Sequence, residues 1–85
     1  NKVFFQRDIE ALTELQLRFL VALADGVDTG LTTKNVIQKY GLVSSANVQG
    51  IKKSLLTKEF IDTDSDKIFI SDPIFKLWIK KTIIK

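Results

Sequence analysis

The sequence predicts a mainly α domain with a small antiparallel β component, and three observations support this prediction. Three short amphipathic segments with capping residues fill residues 12–58, and a tight turn at Gly41 joins the second to the third. A hairpin pattern follows over residues 60–70, and Asp72-Pro73 then begins a last helix. Two short helices joined by a turn containing Gly form a helix-turn-helix, and a hairpin directly after them is a wing. We therefore predict a winged-helix fold with a two- or three-stranded wing, in which residue 31 or 32 supplies the third strand.

The first helix is predicted to begin after Thr13. Thr13 is a favourable N-cap residue, and Gln16 three positions later completes a capping box. Leu12 and Leu17 stand at the two positions of a hydrophobic staple. Gly26 stands where the helix would end. The apolar residues between these signals follow the three-and-four spacing of a helix with one buried face: Leu15, Phe19, Leu20, Ala22 and Leu23.

The second helix is predicted to be short. Thr32 or Thr33 caps its start, and Val36, Ile37 and Tyr40 share one of its faces. Gly41 ends it, since Gly adopts the left-handed conformation that commonly follows a helix. Leu42 is then placed for the hydrophobic contact that accompanies such an end.

The third helix follows directly, as the recognition helix of the predicted helix-turn-helix. Ser44 or Ser45 caps it, and Val48, Ile51 and Leu55 follow the spacing of a buried face. At 100° per residue the opposite face carries small and polar residues, namely Ala46, Gln49, Gly50, Lys53 and Thr57, and it is flanked by Asn47 and Ser54.

The wing and the last helix complete the domain. Residues 60–61 and 68–70 are predicted to form two strands, with residues 62–67 as a polar loop between them. A lone hairpin is marginally stable, so we expect Phe60, Ile68 and Ile70 to pack on the helices. Asp72 caps the last helix, and Pro73 suits its first position.

Composition excludes several functional classes. The 85 residues contain no Cys and no His, so thiolate and imidazole metal sites, disulfides and a histidine base are all excluded. No segment resembles a signal peptide, and no apolar run approaches the roughly 20 residues of a membrane span. We expect a cytoplasmic, non-enzymatic module that has no contact with a membrane. Because the chain contains no Met, we also expect it to be a fragment of a longer protein.

Domain organisation is predicted to be simple. Residues 1–11 are interpreted as an N-terminal arm or the end of an upstream domain, and residues 12–85 as the winged-helix domain.

The net charge of the chain is unevenly distributed along the sequence. Residues 34–58 carry five lysines and no acid, whereas residues 59–72 carry five acids and one lysine. The basic block can attract phosphates, although a solvated lysine face is an equally good interpretation.

Candidate nucleic-acid-binding residues lie in this basic block. In a DNA-binding winged helix the exposed face of the third helix enters the major groove, where Asn and Gln side chains can recognise base edges. Lysines can hold phosphates or reach a guanine. The candidates are Lys34, Ser45, Asn47, Gln49, Lys53 and Lys58.

Other features limit a DNA-binding hypothesis. No Arg follows Arg18, and Gly50 occupies the middle of the exposed face. The predicted wing loop carries three aspartates, which phosphates would repel. These aspartates do not predict a calcium loop, which needs Gly at its sixth position and Glu at its twelfth, here Lys67 and Pro73. We predict no metal site.

Four segments resemble a known family: LTELQLRFL at 12–20, KYGL at 39–42, SSANVQ at 44–49 and SDPIFKLWI at 71–79. Together they resemble the C-terminal winged-helix segment of prokaryotic AAA+-type, STAND-like ATPases, over about residues 12–81. The chain departs from that pattern at Gly50, where a basic residue is expected, and at Glu59, where a helix-ending Gly is expected. The third helix must therefore end by another device, such as a tightened last turn.

The resemblance implies a larger parent protein. No phosphate-binding G-x-x-x-x-G-K motif occurs in the chain, so ATP and Mg would be bound by an upstream ATPase domain and not by this fragment. Two functional hypotheses follow. The domain is a regulatory or nucleic-acid-binding appendage that engages double-stranded DNA. Alternatively, it docks on its own ATPase domain or on another protein subunit without binding DNA, through apolar residues near the end of the chain, namely Ile79, Ile83 and Ile84.

Overall fold

The computed structural model describes residues 7–84 of the chain, with the side chains of residues 7–83. Residues 7–10 are helical and precede the main elements. These elements are helix α1 (Glu14–Ala24), α2 (Lys34–Tyr40), α3 (Ser45–Thr57), strand β1 (Ile61–Asp64), β2 (Lys67–Ile70), α4 (Pro73–Ile79) and a π-helical turn (Lys80–Ile84). The predicted fold class is confirmed, because the structure is mainly helical with a two-stranded antiparallel wing and a C-terminal helix.

The helix starts agree with the predicted capping residues. Thr13 accepts a hydrogen bond from the Gln16 N–H, and the Gln16 side chain accepts one from the Thr13 N–H, so both halves of the capping box are present. Ser44 caps α3, and Asp72 caps α4 ahead of Pro73. Thr33 is the N-cap residue of α2, but its hydroxyl donates to the Gly30 carbonyl at 2.7 Å instead of capping the helix.

All three long helical segments before the wing end in the same way. One or two residues after each end, the backbone has a positive φ, of 109° at Gly26, 68° at Gly41 and 65° at Glu59. In each case the next residue's N–H donates to the carbonyl five positions back, as from Phe60 to Leu55. This is the 6→1 bond of a Schellman motif. The last turn of α3 is tightened as predicted, by an i→i+3 bond from the Glu59 N–H to the Leu56 carbonyl at 3.1 Å, and Glu59 itself adopts the conformation in which Gly is usual.

The wing is a tighter hairpin than predicted. Residues 62–64 and 67 belong to the strands, so the six-residue polar loop is wrong and only Ser65 and Asp66 join β1 to β2. Asp62 pairs with Phe69, and Asp64 pairs with Lys67. The strands accommodate these charges because successive side chains alternate between the core and water. The core side of the hairpin holds Ile61, Ile68 and Ile70, whereas Phe60 is half-buried just before β1.

The described part of the chain contains two wing strands and no third. Where a third strand would lie, the chain makes one backbone hydrogen bond to the wing, from the Ile68 N–H to the Asp28 carbonyl at 2.9 Å. Leu31 contributes a buried side chain and not a strand. Residues 29–33 therefore form a surface loop that leads into α2, with Leu31 as its one buried residue.

The core lies between α1, α3, α4 and the inner side of the wing. Its fully buried large side chains are Phe19, Leu20, Leu42, Val48, Leu55 and Ile79. Gln16 is the one buried polar side chain among the described residues, and its Nε2 donates to the Ser54 hydroxyl at 2.9 Å. Within residues 7–84, no helix has the length and apolar character needed to cross a bilayer.

Candidate nucleic-acid interface

Helix α3 presents an exposed polar face to solvent. Val48, Ile51 and Leu55 are buried against α1 and the wing, so the opposite side of the helix is free. Seven residues on that side are exposed, namely Ser45, Ala46, Asn47, Gln49, Gly50, Lys53 and Thr57. Four predicted candidates therefore share one accessible surface: Ser45, Asn47, Gln49 and Lys53.

The polar groups on this surface are not used to hold the domain together. Among the described residues, the side chains of Asn47, Gln49 and Lys53 have neither hydrogen-bond nor ion-pair partners. The backbone N–H of Asn47 is the group that Ser44 caps, at 3.3 Å. The amide and ammonium groups are therefore available to an external partner.

Lys58 and Lys34 lie apart from this cluster. Lys58 follows the last turn of α3, five residues after Lys53, which is about 7.5 Å along the helix and about 140° around it. It borders a cleft of about 300 Å³ in which three carboxylates surround an aromatic floor, lined by Asp8, Lys58, Glu59, Phe60, Asp72 and Phe75. Lys34 is exposed at the first position of α2. The structure brings four of the six candidates together and separates the other two.

Gly50 leaves space at the centre of the α3 face. A Cβ atom added there would meet no atom within 4 Å, and Gly50 is not among the glycines with a positive φ. Neither backbone conformation nor internal packing therefore requires Gly at this position. A larger side chain fits on the face without disturbing the domain.

The wing tip lies beside the first half of α3. Asp66, Gln49 and Lys52 line the same small cleft, of about 160 Å³, together with residues 29–32. An exposed carboxylate therefore stands next to the proposed recognition face. Sequence reasoning missed both Asp66 and Lys52 as neighbours of Gln49, although Lys52 follows Gln49 by one helical turn.

The turn before α3 contains a strained residue that no sequence signal indicates. Val43 has a φ of +77°, and the Ser44 N–H donates to the Leu42 carbonyl at 3.0 Å across it. A bond between residues i and i+2 around a positive φ is the strained form of the γ-turn. Val43 is also 68% exposed, so its side chain gains little from burial.

Two polar contacts fix the end of α2 relative to α1. Arg18 on α1 donates to the Gly41 carbonyl at 3.1 Å and to Glu14 at 2.8 Å. Tyr40 donates its hydroxyl to the Asp25 carboxylate at the end of α1. This hydrogen bond raises the pKa of Tyr40 to about 12, with smaller contributions from desolvation and from the negative charge of Asp25. Both contacts hold the helix-turn-helix against α1.

The three candidate interaction residues have different surroundings. Ile79 is fully buried four residues after the buried Phe75, so its assignment to an interaction surface is wrong and it stabilises the core. Ile83 is half-buried and borders a largely apolar cleft of about 300 Å³ with Leu17, Val21 and Tyr40. The side chain of Ile84 lies outside the described residues.

Comparison with known proteins gives one match. A family model described as "Probable winged helix domain" matches residues 3–81, which is most of the chain. The match begins within the segment predicted as an N-terminal arm. No curated protein and no solved structure matches.

Proposed function

Since the chain belongs to the winged-helix family that matches residues 3–81, we propose that it is a non-catalytic module that docks helix α3 on double-stranded DNA. One observation carries this proposal. The exposed face of α3 bears amide and ammonium groups that have no partner among the described residues, within a segment of five lysines and no acid. Asn47 and Gln49 would face base edges, while Lys53 would contact a phosphate or a guanine.

The binding is expected to be weak and to use the helix alone. Asp66 beside Gln49 and Lys52 would repel a phosphate that approached from the wing side. The separation of Lys58 from the cluster also leaves few cations to neutralise phosphates. With Lys53 as the one named phosphate contact, the logarithm of the affinity should fall by about one for each tenfold rise in salt.

Titration of a labelled DNA duplex at low salt tests this proposal. Lys53→Glu should weaken binding at least tenfold, whereas Lys80→Glu makes the same change in net charge away from α3 and should weaken it only slightly. Gly50→Lys should strengthen binding, because the position is open and faces the same partner. A dissociation constant weaker than about 1 mM at low salt, or equal effects of the two Glu variants, would contradict DNA docking through α3.

The resemblance to AAA+-type, STAND-like ATPases extends the proposal to a parent protein. On that proposal the domain is the C-terminal appendage of a cytoplasmic ATPase, and the upstream domain binds ATP and Mg. Support comes from the four resembling segments, of which Asp72-Pro73 followed by Phe75 and Trp78 is the most specific. The sequence encoded upstream of residue 1 tests it. A strand followed by a phosphate-binding loop is expected there, and its absence would reject this parent.

A second candidate function is docking on a protein, either the upstream ATPase domain or another subunit. The apolar cleft between α1, α2 and the C-terminal turn favours it, because Leu17, Val21 and Ile83 surround space large enough for an apolar side chain. Val21→Asp should abolish such docking and leave DNA binding unchanged. If Val21→Asp keeps its fold but loses DNA binding, the apolar cleft and the exposed face of α3 are not independent binding surfaces.

A further inference from the structure

Helix α4 carries apolar side chains that the domain leaves uncovered. Ile74 is 66% exposed and Leu77 is 51% exposed, and their spacing of three places them on one side of the helix. Phe75 and Ile79, on the other side, are buried in the core. The outward side of α4 is therefore an apolar surface of this small domain.

Basic residues continue this surface. Lys80 and Lys81 follow Leu77 by three and four positions, and both are exposed. No acid occurs between residues 73 and 85. Neither lysine has an ion-pair partner among the described residues, where the one ion pair joins Arg18 to Glu14. We name the surface formed by Ile74, Leu77, Lys80 and Lys81 the α4 patch.

The outer side of the wing carries acidic residues and an exposed aromatic ring, which complement the lysines and aliphatic side chains of the α4 patch. Phe69 is 43% exposed there, directly opposite Asp62 in the antiparallel register. Asp64 lies on the same outer side of β1, two residues from Asp62, and is paired with Lys67 on β2. All three charged side chains are exposed, so this side of the wing carries two acids and one base. Neither carboxylate has an ion-pair partner among residues 7–83. We name the surface formed by Asp62, Asp64 and Phe69 the wing patch.

We propose that the wing patch of one copy of this chain packs on the α4 patch of a second copy. Phe69 would cover Ile74 and Leu77, while Asp62 and Asp64 would face Lys80 and Lys81. The occupant is a second copy because this chain itself provides both an acidic surface with an exposed aromatic ring and a basic surface with exposed aliphatic side chains. The inference goes beyond DNA docking, since neither patch includes a residue of α3.

The two patches are different surfaces, so the contact is head-to-tail and leaves one of each patch open for another copy. Each patch has only three or four residues, so the number of residues in the interface is at the low end for specific contacts. Such a small interface is typical of a weak, transient contact. The charges would contribute register and salt dependence, and the apolar side chains would contribute most of the affinity.

Sedimentation velocity on the full 85-residue chain, from about 10 μM to 1 mM, tests the proposal. The average mass should rise above 9.6 kDa with concentration, and high salt should reduce the rise. The paired variants Asp62→Lys/Asp64→Lys and Lys80→Glu/Lys81→Glu should each associate at least tenfold more weakly. Leu77→Ser should do the same without changing the charge.

Mixing the two charge variants is the decisive measurement. Each variant alone presents two surfaces of one sign, whereas the mixture offers opposite signs at both contacts, so association should return on mixing. Lys39→Glu/Lys52→Glu is the matched control, with the same charge change away from both patches, and it should associate like the unchanged chain. A monomer at 1 mM, equal effects of the control pair, or no recovery on mixing would each overturn the proposal, and circular dichroism would establish that every variant is folded.

Discussion

The guanidinium group of Arg18 donates a hydrogen bond to the carbonyl oxygen of Gly41 at 3.1 Å, across 23 positions of sequence. Arg18 thereby connects the first half of α1 to the left-handed residue that ends α2. A Cβ atom built on Gly41 would lie 2.4 Å from Nη1 of Arg18. Gly41 therefore meets two requirements, a φ of +68° and the close approach of a charged side chain.

Replacing Gly41 with Ala should lower the free energy of unfolding by about 1–2 kcal/mol, because the left-handed conformation is strained with a Cβ atom. The new methyl group should also displace Arg18. Arg18→Ala alone should cost about 0.5 kcal/mol, since its contacts are exposed. In the Gly41→Ala background the same change should cost nothing further. Urea unfolding of the four proteins measures the coupling, and full additivity would show that the methyl group does not displace Arg18 from the carbonyl oxygen.

Glu59→Gly should stabilise the domain by about 1 kcal/mol, because a Schellman motif places this residue at a φ of +65°. The side chain is exposed, so its removal sacrifices no burial. Glu59→Ala is the control: it removes the charge but keeps the strain, and it should leave the midpoint of urea unfolding almost unchanged. An equal gain in both variants would assign the effect to charge.

Val43→Gly should also stabilise the chain, by about 1 kcal/mol, because a β-branched residue at a φ of +77° is strongly disfavoured. Val43→Ala keeps a Cβ atom but removes the branch, so we expect a smaller gain. Thermal unfolding compares the three proteins. A loss of stability in Val43→Gly would show that the exposed side chain contributes packing that outweighs the strain.

Tyr40 should ionise with a pKa of about 12 instead of 10.0, since its hydroxyl donates to Asp25. The raised pKa means that this contact stabilises the fold fully below pH 10 and is lost as the pH rises through 12. Tyr40 is the only tyrosine in the chain, so the absorbance of tyrosinate follows it alone. In Asp25→Asn the midpoint should move back towards 10, and an unchanged midpoint would remove Asp25 as the cause.

Gln16→Met should destabilise the domain by about 2 kcal/mol. The side chain is buried and makes two hydrogen bonds, one to the Thr13 N–H and one to Ser54 on α3. Met has a similar volume and makes neither. Ser54→Ala breaks only the second bond, so its cost should be about half as large. Equal costs in urea unfolding would place the whole effect in the contact between α1 and α3.

Local signals predicted the helix ends well. Thr13 with Gln16, Ser44, Asp72-Pro73 and the turn at Gly41 all occupy the predicted positions, because caps depend on residues within one helical turn of each other. The helix-turn-helix followed by a wing was predicted from these boundaries alone. The buried faces of α1 and α3 follow from the same helical periodicity.

The features that the sequence did not predict arise from tertiary packing. The wing strands contain charged residues because one side of the hairpin faces water. Aspartates are as compatible with this exposed side of a strand as with a loop, so their pattern alone does not tell the two apart. The positive φ values of Val43 and Glu59 oppose residue preference and are set by neighbouring elements. For the same reason the burial of Ile79 depends on how whole helices pack, which no short window of sequence contains.

The hydrogen bond from Ile68 to Asp28 has a consequence for how the wing meets other chains. An unpaired β edge offers its N–H and carbonyl groups as a template for a strand from another molecule. The loop before α2 occupies that edge of β2 at its centre, so an incoming strand would first have to displace it. The short hairpin is therefore protected on the β2 side against growth into an intermolecular sheet, and a partner that approaches from this side must recognise side chains.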